Sequence, residues 1–308
     1  MENQFKGVVI RATGSWYEVL SEGATYNCRI RGRLRLKGVR STSPVVVGDV
    51  VHFEADDDEN YVISLIEQRR NYIIRRASNL SKESHIIAAN IDQAILVATL
   101  FSPTTATEFI DRFLVTCEAY KIPAVIVLAK VDLAHEQAEM LADFRATYAS
   151  AGYRVIEVSA TEGIGLEEVK EMLSGKTTLI SGNSGVGKST LIGAIEPHID
   201  IKTGEISASH HKGKHTTTFS TMYPLSVGGY IIDTPGIKGF GLLDIDDDEL
   251  WHFYPEMMRY SADCQFYNCT HTHEPKCAVV RAVEQGQIAY SRYESYLKIL
   301  DEDEKYRK

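Results

Sequence analysis

No stretch of the sequence approaches the roughly 18 uninterrupted apolar residues that a membrane-spanning helix needs, and the opening MENQFKGVVI has no long apolar segment behind a basic start. These absences predict a cytoplasmic chain with no membrane partner. Internal repeats and low-complexity linkers are also missing, which argues against a solenoid array or a long disordered spacer. An excess of positive charge is lacking: 33 Lys and Arg against 42 Asp and Glu leave a formal charge of −9, so the whole chain makes no global case for nucleic-acid binding. Cysteine is scarce, with five residues, an odd number. Cys264, Cys269 and Cys277 nevertheless crowd together with His271 and His273, a grouping that in a cytosolic chain favours a metal over a disulfide.

What is present is ordinary globular composition, 44% hydrophobic and 24% charged over 308 residues, enough for several domains with their own cores. Residues 1–68 read as all-β, because the short apolar runs GVVIRA, WYEVL, YNCRIRGRLRL, VVVGDVVHFEA and YVISLIEQ are separated by turn residues; a small barrel is expected. From Cys28 to Lys37 the alternation is strict. Cys28, Ile30, Gly32, Leu34 and Leu36 share the packed face, while Arg29, Arg31, Arg33, Arg35 and Lys37 share the other. Neighbouring like charges repel, and a phosphate backbone would relieve them, so this face is the candidate RNA-binding surface, with Trp16 and Tyr17 as either base stackers or core residues. Residues 69–245 alternate apolar strands with helical periodicity, the pattern of a mostly parallel sheet covered by helices. Within TEFIDRFLVTCEAYK, Ile110, Phe113, Leu114 and Cys117 fall on one helical face, which makes Cys117 a core residue. Residues 246–308 lose the strand signal and read as a mainly α unit with few apolar residues for a core of its own; a structural metal would supply folding free energy there. Three thiolates and one imidazole, from His271 or His273, make the closed ligand set typical of structural zinc.

The middle region carries GNSGVGKST, residues 182–190. Gly182, Asn183, Ser184, Gly185, Val186, Gly187, Lys188, Ser189 and Thr190 follow a strand and open a helix, the setting in which such a loop wraps backbone N–H groups around phosphates. Lys188 would reach the β and γ oxygens and Ser189 would ligate Mg²⁺. Downstream, IIDTPG places Asp233 at a strand end, where its carboxylate can hold the Mg²⁺ shell, with Gly236 offering its amide to the γ-phosphate. HTTT lies between them and offers a second Mg²⁺ ligand, for which Thr217 is favoured. A base reader precedes the phosphate loop: in VIVLAKVDL, Asp132 can accept two hydrogen bonds from guanine, which adenine cannot supply, while the stem of Lys130 covers the ring. In VSATEG, Ser159 and Ala160 follow a further strand, and the Ala160 amide would meet guanine O6.

The motif order, 130, 159, 182, 217 and 233, is not the usual one, in which the phosphate loop comes first. A sheet keeps its strand neighbours when the chain ends are joined and cut elsewhere, so the pattern predicts a circularly permuted GTPase domain with its ligand at the strand ends.

With its barrel front, permuted motifs, GKHTTT, DTPGIKGF and the Cys/His cluster, the chain resembles the RsgA (YjeQ/YloQ) family, bacterial GTPases of late small-subunit ribosome assembly. The resemblance implies an N-terminal OB-fold, a permuted GTPase domain and a zinc domain. It implies GTP and GDP as ligands, Mg²⁺ and one zinc ion, and a monomer whose partners are the 30S subunit and its 16S rRNA, with hydrolysis stimulated by that subunit. It assigns His271 as the fourth zinc ligand beside Cys264, Cys269 and Cys277, and it supports His215 as the residue that orients the attacking water. One departure from the family matters: Ala129 stands where these GTPases usually carry Asn, which predicts a loss of about 1–3 kcal/mol in guanine affinity. Set against GTPases in general, Ile237 stands where many place a water-orienting Gln, which predicts slow turnover without a partner.

Overall fold

The computed structural model describes residues 4–30, 44–56, 60–76, 84–134, 137–199, 220–233, 245–246 and 248–306. They pack as two compact units, one drawn from Met1–Ala94, Glu167–Ser181 and Lys188–Gly241, the other from Ile95–Leu166, Gly182–Gly187 and Leu242–Lys308.

The first unit opens with strands β1 (Phe5–Thr13), β2 (Trp16–Ser21), β3 (Ala24–Ile30), β4 (Val50–Ala55) and β5 (Tyr61–Ile66). Their order is β1-β2-β3-β5-β4, and β4 returns to pair with β1, closing a five-stranded barrel as the turn-punctuated runs predict. Closure leaves few unpaired edges. Val9, Val19, Cys28, Val51, Phe53 and Ile63 are wholly buried inside it, and Phe5, Tyr26, Phe53 and Tyr61 pack ring against ring with centroids 4.9–6.0 Å apart. Tyr17 is 3% exposed and Trp16 37%, so of the two aromatic candidates only Trp16 is available to a ligand; adjacent strand residues face opposite ways. A bidentate pair, Arg69 Nε to Asp49 Oδ1 and Arg69 Nη2 to Asp49 Oδ2, both 2.7 Å, secures the loop before β4.

A hairpin follows, β6 (Tyr72–Arg76) and β7 (Ser84–Ala89), and then β8 (Gln93–Ala98), buried along its whole length. The remaining elements are α1 (Thr107–Ala119), β9 (Ala124–Ala129), α2 (Ala138–Ala151), β10 (Arg154–Val158), α3 (Leu166–Leu173), β11 (Lys176–Ser181), α4 (Lys188–Ile195), β12 (Thr221–Pro224), β13 (Gly229–Asp233), α5 (Pro255–Ser261), α6 (Ala278–Glu284) and α7 (Tyr290–Tyr306). In the first unit β11 pairs parallel with β13, and β12 pairs antiparallel with β13 and, through Arg11 and Thr221, with β1. In the second, β9 and β10 pair parallel with Ala129 opposite Val158. No helix of the described residues is long and apolar enough to cross a membrane.

Ile110, Phe113, Leu114 and Cys117 of α1 are all wholly buried, as their spacing predicts. Asp111 is buried with them, for a reason that lies far along the chain: Arg292 of α7 donates to its Oδ1 at 2.6 Å and to Glu256 Oε1 at 2.7 Å. The expectation of too few apolar residues after position 245 is corrected. Leu250, Tyr254, Met257, Val279, Ile288, Tyr296 and Ile299 join Val115 of α1 in one core, and sequence inspection undercounted it because tyrosines supply much of the buried surface.

Candidate nucleotide site and metal centre

The phosphate loop leaves β11 through Gly182, where a Cβ would stand 2.4 Å from the Val97 carbonyl oxygen; only glycine lets the chain turn that close to β8. Gly185 and Gly187 have φ of +83° and +98°. Val186 points inward and is fully buried, Asn183 and Gly187 are half-buried, and Ser184 and Gly185 are exposed. This alternation anchors the loop by one apolar side chain while its outer backbone stays accessible. The chain then runs directly into α4, whose first residues are Lys188, half-buried Ser189 and exposed Thr190, so the helix N-terminus that favours anions begins where the motif requires it.

The two segments expected to read the base leave adjacent strands at the same level. After β9, Lys130 takes a left-handed φ of +61° and Asp132 lies in the first turn of a short 3-10 segment, Val131–Ala134. The Lys130 ammonium donates to the Gly185 carbonyl at 2.7 Å and to the Ser102 carbonyl at 2.6 Å. The base-reading segment and the phosphate loop, 55 positions apart in reversed order, are thereby fastened to each other. Ala129 is buried at the end of β9, and its methyl side chain makes no such tie. After β10, Ser159 is fully buried and its backbone pairs with Ile164 in both directions, at 3.1 and 3.0 Å. Its hydroxyl lies 3.0 Å from Thr161 Oγ1 and accepts from the Glu162 N–H. Ser159 therefore shapes the turn, and half-buried Ala160 is the residue presented beside it.

In the first unit, Asp233 ends β13, level with Ile180 of β11 in the parallel register. Burial lowers the pKa of Lys188, with Asp233 opposing, and burial raises that of Asp233, with Lys188 opposing. The two charges are each other's compensation in a desolvated place, which is the environment a phosphate and its metal would share. His215, Thr217 and Gly236 lie outside the described residues, as do Arg31, Arg33, Arg35 and Lys37. Arg29 is described: it is exposed on β3, with its guanidinium 4.0 Å from the centroid of the Trp16 ring.

A second cluster forms before α6. Cys264, Cys269 and Cys277 Sγ and one ring nitrogen of His271 all lie within 4.8 Å of one another. The nitrogen is Nδ1, 3.4 Å from Cys277 Sγ and 3.6 Å from Cys264 Sγ, and those two sulfurs are 3.9 Å apart. Tetrahedral Zn–S bonds of ~2.3 Å demand sulfurs about 3.8 Å apart, so the residues fit that ion. His273 is exposed, and its Nδ1 lies 2.8 Å from Thr272 Oγ1, which settles the choice between the two histidines. Burial raises the thiol pKa of Cys269 to about 12 and also raises that of Cys277; a cation that displaces their protons removes the cost of burying thiolates. Sequence reading did not single out Glu274. Burial works against its charge, but hydrogen bonds from Thr270 N and Oγ1, both 2.7 Å, and from Thr272 N at 3.1 Å hold its pKa down to about 2. It folds the loop that carries His271 at φ +59°, and Tyr293 OH donates to the His271 carbonyl at 2.8 Å.

A glycine-rich P-loop fastened to the segment after β9, which precedes it in sequence, together with a barrel and a Cys/His cluster, is the arrangement of a circularly permuted P-loop GTPase. Comparison with known proteins narrows this. The RsgA GTPase family matches residues 66–243 and the RsgA N-terminal domain matches residues 6–63. Curated relatives called small ribosomal subunit biogenesis GTPase RsgA include one from Phocaeicola vulgatus, 55% identical over 98% of this chain and 99% of its own length, and one from Bacteroides fragilis, 52% identical over 98% and 99%. Among solved structures, YjeQ from Thermotoga maritima superposes with a TM-score of 0.78 at 34% identity, covering 97% of this chain and 98% of that one. YloQ, described as a circularly permuted GTPase, gives 0.75 at 30% identity, covering 99% and 96%. The chain belongs to the RsgA GTPase family and is a GTPase.

Proposed function

We propose that this protein hydrolyses GTP during late maturation of the small ribosomal subunit, in the cytoplasm and as a monomer, binding the 30S particle through 16S rRNA and leaving it when GTP is spent. The observation that carries the reading is the Lys130 tie between the base-reading segment and the phosphate loop, because it gives two motifs in reversed order a common purpose. Full-length relatives whose names place them in small-subunit biogenesis support the choice of particle.

In this reading residues 1–68 are the RNA-binding barrel, 69–245 the GTPase domain and 246–308 the zinc domain. Asp132 accepts from the guanine N1–H and exocyclic amine, and the Ala160 amide donates to O6; any other base leaves a carboxylate unpaired. The backbone N–H groups of 182–190 and the Lys188 ammonium hold the β and γ phosphates. Ser189, Thr217 and Asp233 would hold Mg²⁺, which when bound neutralises charge developing on the phosphoryl oxygens. Gly236 donates to the γ-phosphate, and His215 orients the water that Ile237 cannot. Cys264, Cys269, His271 and Cys277 would hold a structural zinc ion with no open position. Arg29, Arg31, Arg33, Arg35 and Lys37 contact rRNA phosphates.

Purified 30S subunits should raise GTP turnover well above the intrinsic rate, whereas 50S subunits and bulk RNA should not. Equal stimulation by all three would sink the ribosomal assignment. Asp132→Asn should weaken GTP and favour xanthosine triphosphate; an unchanged preference would remove Asp132 from base reading.

A further inference from the structure

The barrel carries a built recess on the face opposite its core. Arg11, Thr13, Trp16, Glu18, Asn27 and Asn60 line a cavity of about 330 Å³, at the small end of the range for specific organic ligands. The strand register explains why they meet. Arg11 stands opposite Glu18 and Glu18 opposite Asn27; one rung away Thr13 stands opposite Trp16, whose ring is covered by Arg29. A bulge in β1 between Val9 and Arg11 makes the patch possible: alternation alone would send Arg11 inward with Val9, and the extra residue turns it out. Trp16, 37% exposed, is thus held on a rigid sheet with a guanidinium on its face, and carboxylate, amide and hydroxyl groups surround it.

We propose that this recess receives one unpaired RNA base carrying an exocyclic amine, which stacks on the Trp16–Arg29 platform. The inference deepens the rRNA-binding reading above and rests on it. Three features select this occupant. The platform is planar and cationic, which suits a base, whose π face stacks on an aromatic ring or a guanidinium. In sequence, Arg29 is followed by Arg31, Arg33, Arg35, Lys37 and Arg40 with no acid between them, the composition of a segment that meets a phosphate backbone. Glu18 decides the edge. Its carboxylate, 3.4 Å from the Arg11 guanidinium, repels phosphate and so addresses the base; it accepts hydrogen bonds from the amino groups of adenine, cytosine or guanine, whereas uracil offers it a single ring N–H flanked by two repelling carbonyl oxygens.

The test is fluorescence anisotropy of labelled single-stranded hexamers of adenylate, cytidylate and uridylate with the full-length protein. Adenylate and cytidylate should bind more tightly than uridylate. Trp16→Ala should weaken them about tenfold, the order of one lost stack, without changing the salt dependence, and Trp16→Phe should restore most of the loss. Glu18→Gln should narrow the gap between uridylate and the others. Arg29→Ala, which removes the guanidinium half of the platform together with one cation, should weaken all three hexamers and lower the salt slope by at most about one. A native circular-dichroism spectrum and melt for Trp16→Ala guard against misfolding. Equal binding of the three hexamers, or a Trp16→Ala protein that binds them like the parent, overturns the pocket. Co-sedimentation with 30S subunits separates this failure from the larger one. A parent that pellets together with an equally retained Trp16→Ala refutes only the pocket, while a parent that never pellets refutes the ribosomal reading and leaves the hexamer assay to judge the recess.

Discussion

The barrel and the C-terminal helical region are both small, yet they are held by opposite means. The barrel encloses an apolar centre in which Val9, Val19, Cys28, Val51, Phe53 and Ile63 are wholly buried, and a buried charge pair, Arg69 with Asp49, ties the segment after β5 to the loop that leads into β4. The helical region instead puts charge and metal ligands at its centre: Arg292, 1% exposed, between Asp111 and Glu256, and four ligand atoms gathered before α6. Closing a sheet satisfies its own backbone and removes its edges, so apolar burial suffices. Short helices of 7 residues, such as α5 and α6, do neither, and isolated segments of that length are unstable in water. They are pinned by interactions that fail abruptly when one member is lost.

The largest effect that would sharpen this contrast is removal of the ion expected at the Cys/His cluster. A strong chelator should abolish protection of backbone amides in residues 264–306 in hydrogen exchange while leaving β1–β5 protected; uniform loss over both regions would break the comparison. Next in size, Arg292→Met should cost about 3–5 kcal/mol in denaturant unfolding, since two carboxylates then remain buried without their cation. The sign of its pH dependence is set by Asp111, whose pKa burial raises while Arg292 opposes the rise. Without the arginine the folded state binds that proton more tightly still, so the deficit is full at neutral pH and shrinks as pH falls toward about 4. A deficit that grows in acid would contradict this account. Smallest is a change in the barrel: Ile63→Val should cost about 0.5–1.5 kcal/mol with little pH dependence, because only packing is lost.

Local signals were legible where one short segment carries the whole message. The glycine-rich loop at 182–187, the buried stripe of α1 and the closely spaced cysteines each follow from residues within a few turns of chain. Two kinds of information were not. Period-2 alternation shows that Trp16 and Tyr17 face opposite ways but not which face is the core, and that was decided by β1 and β3 on either side. Partners distant in sequence leave no local trace: nothing near Asp111 announces that its counter-ion is 181 positions away. Likewise β12 is only 4 residues and ends in proline, and it exists because β13 and β1 flank it.

The Lys130 tie has a thermodynamic corollary. One ammonium group whose position depends on both the base-reading turn and the Gly185 carbonyl makes occupancy at either end a bias on the other, and such coupling is reciprocal. Guanosine alone should therefore tighten the loop's grip on free pyrophosphate, and pyrophosphate should tighten the grip on guanosine by the same factor. Shortening the side chain at position 130 should leave two independent half-ligands.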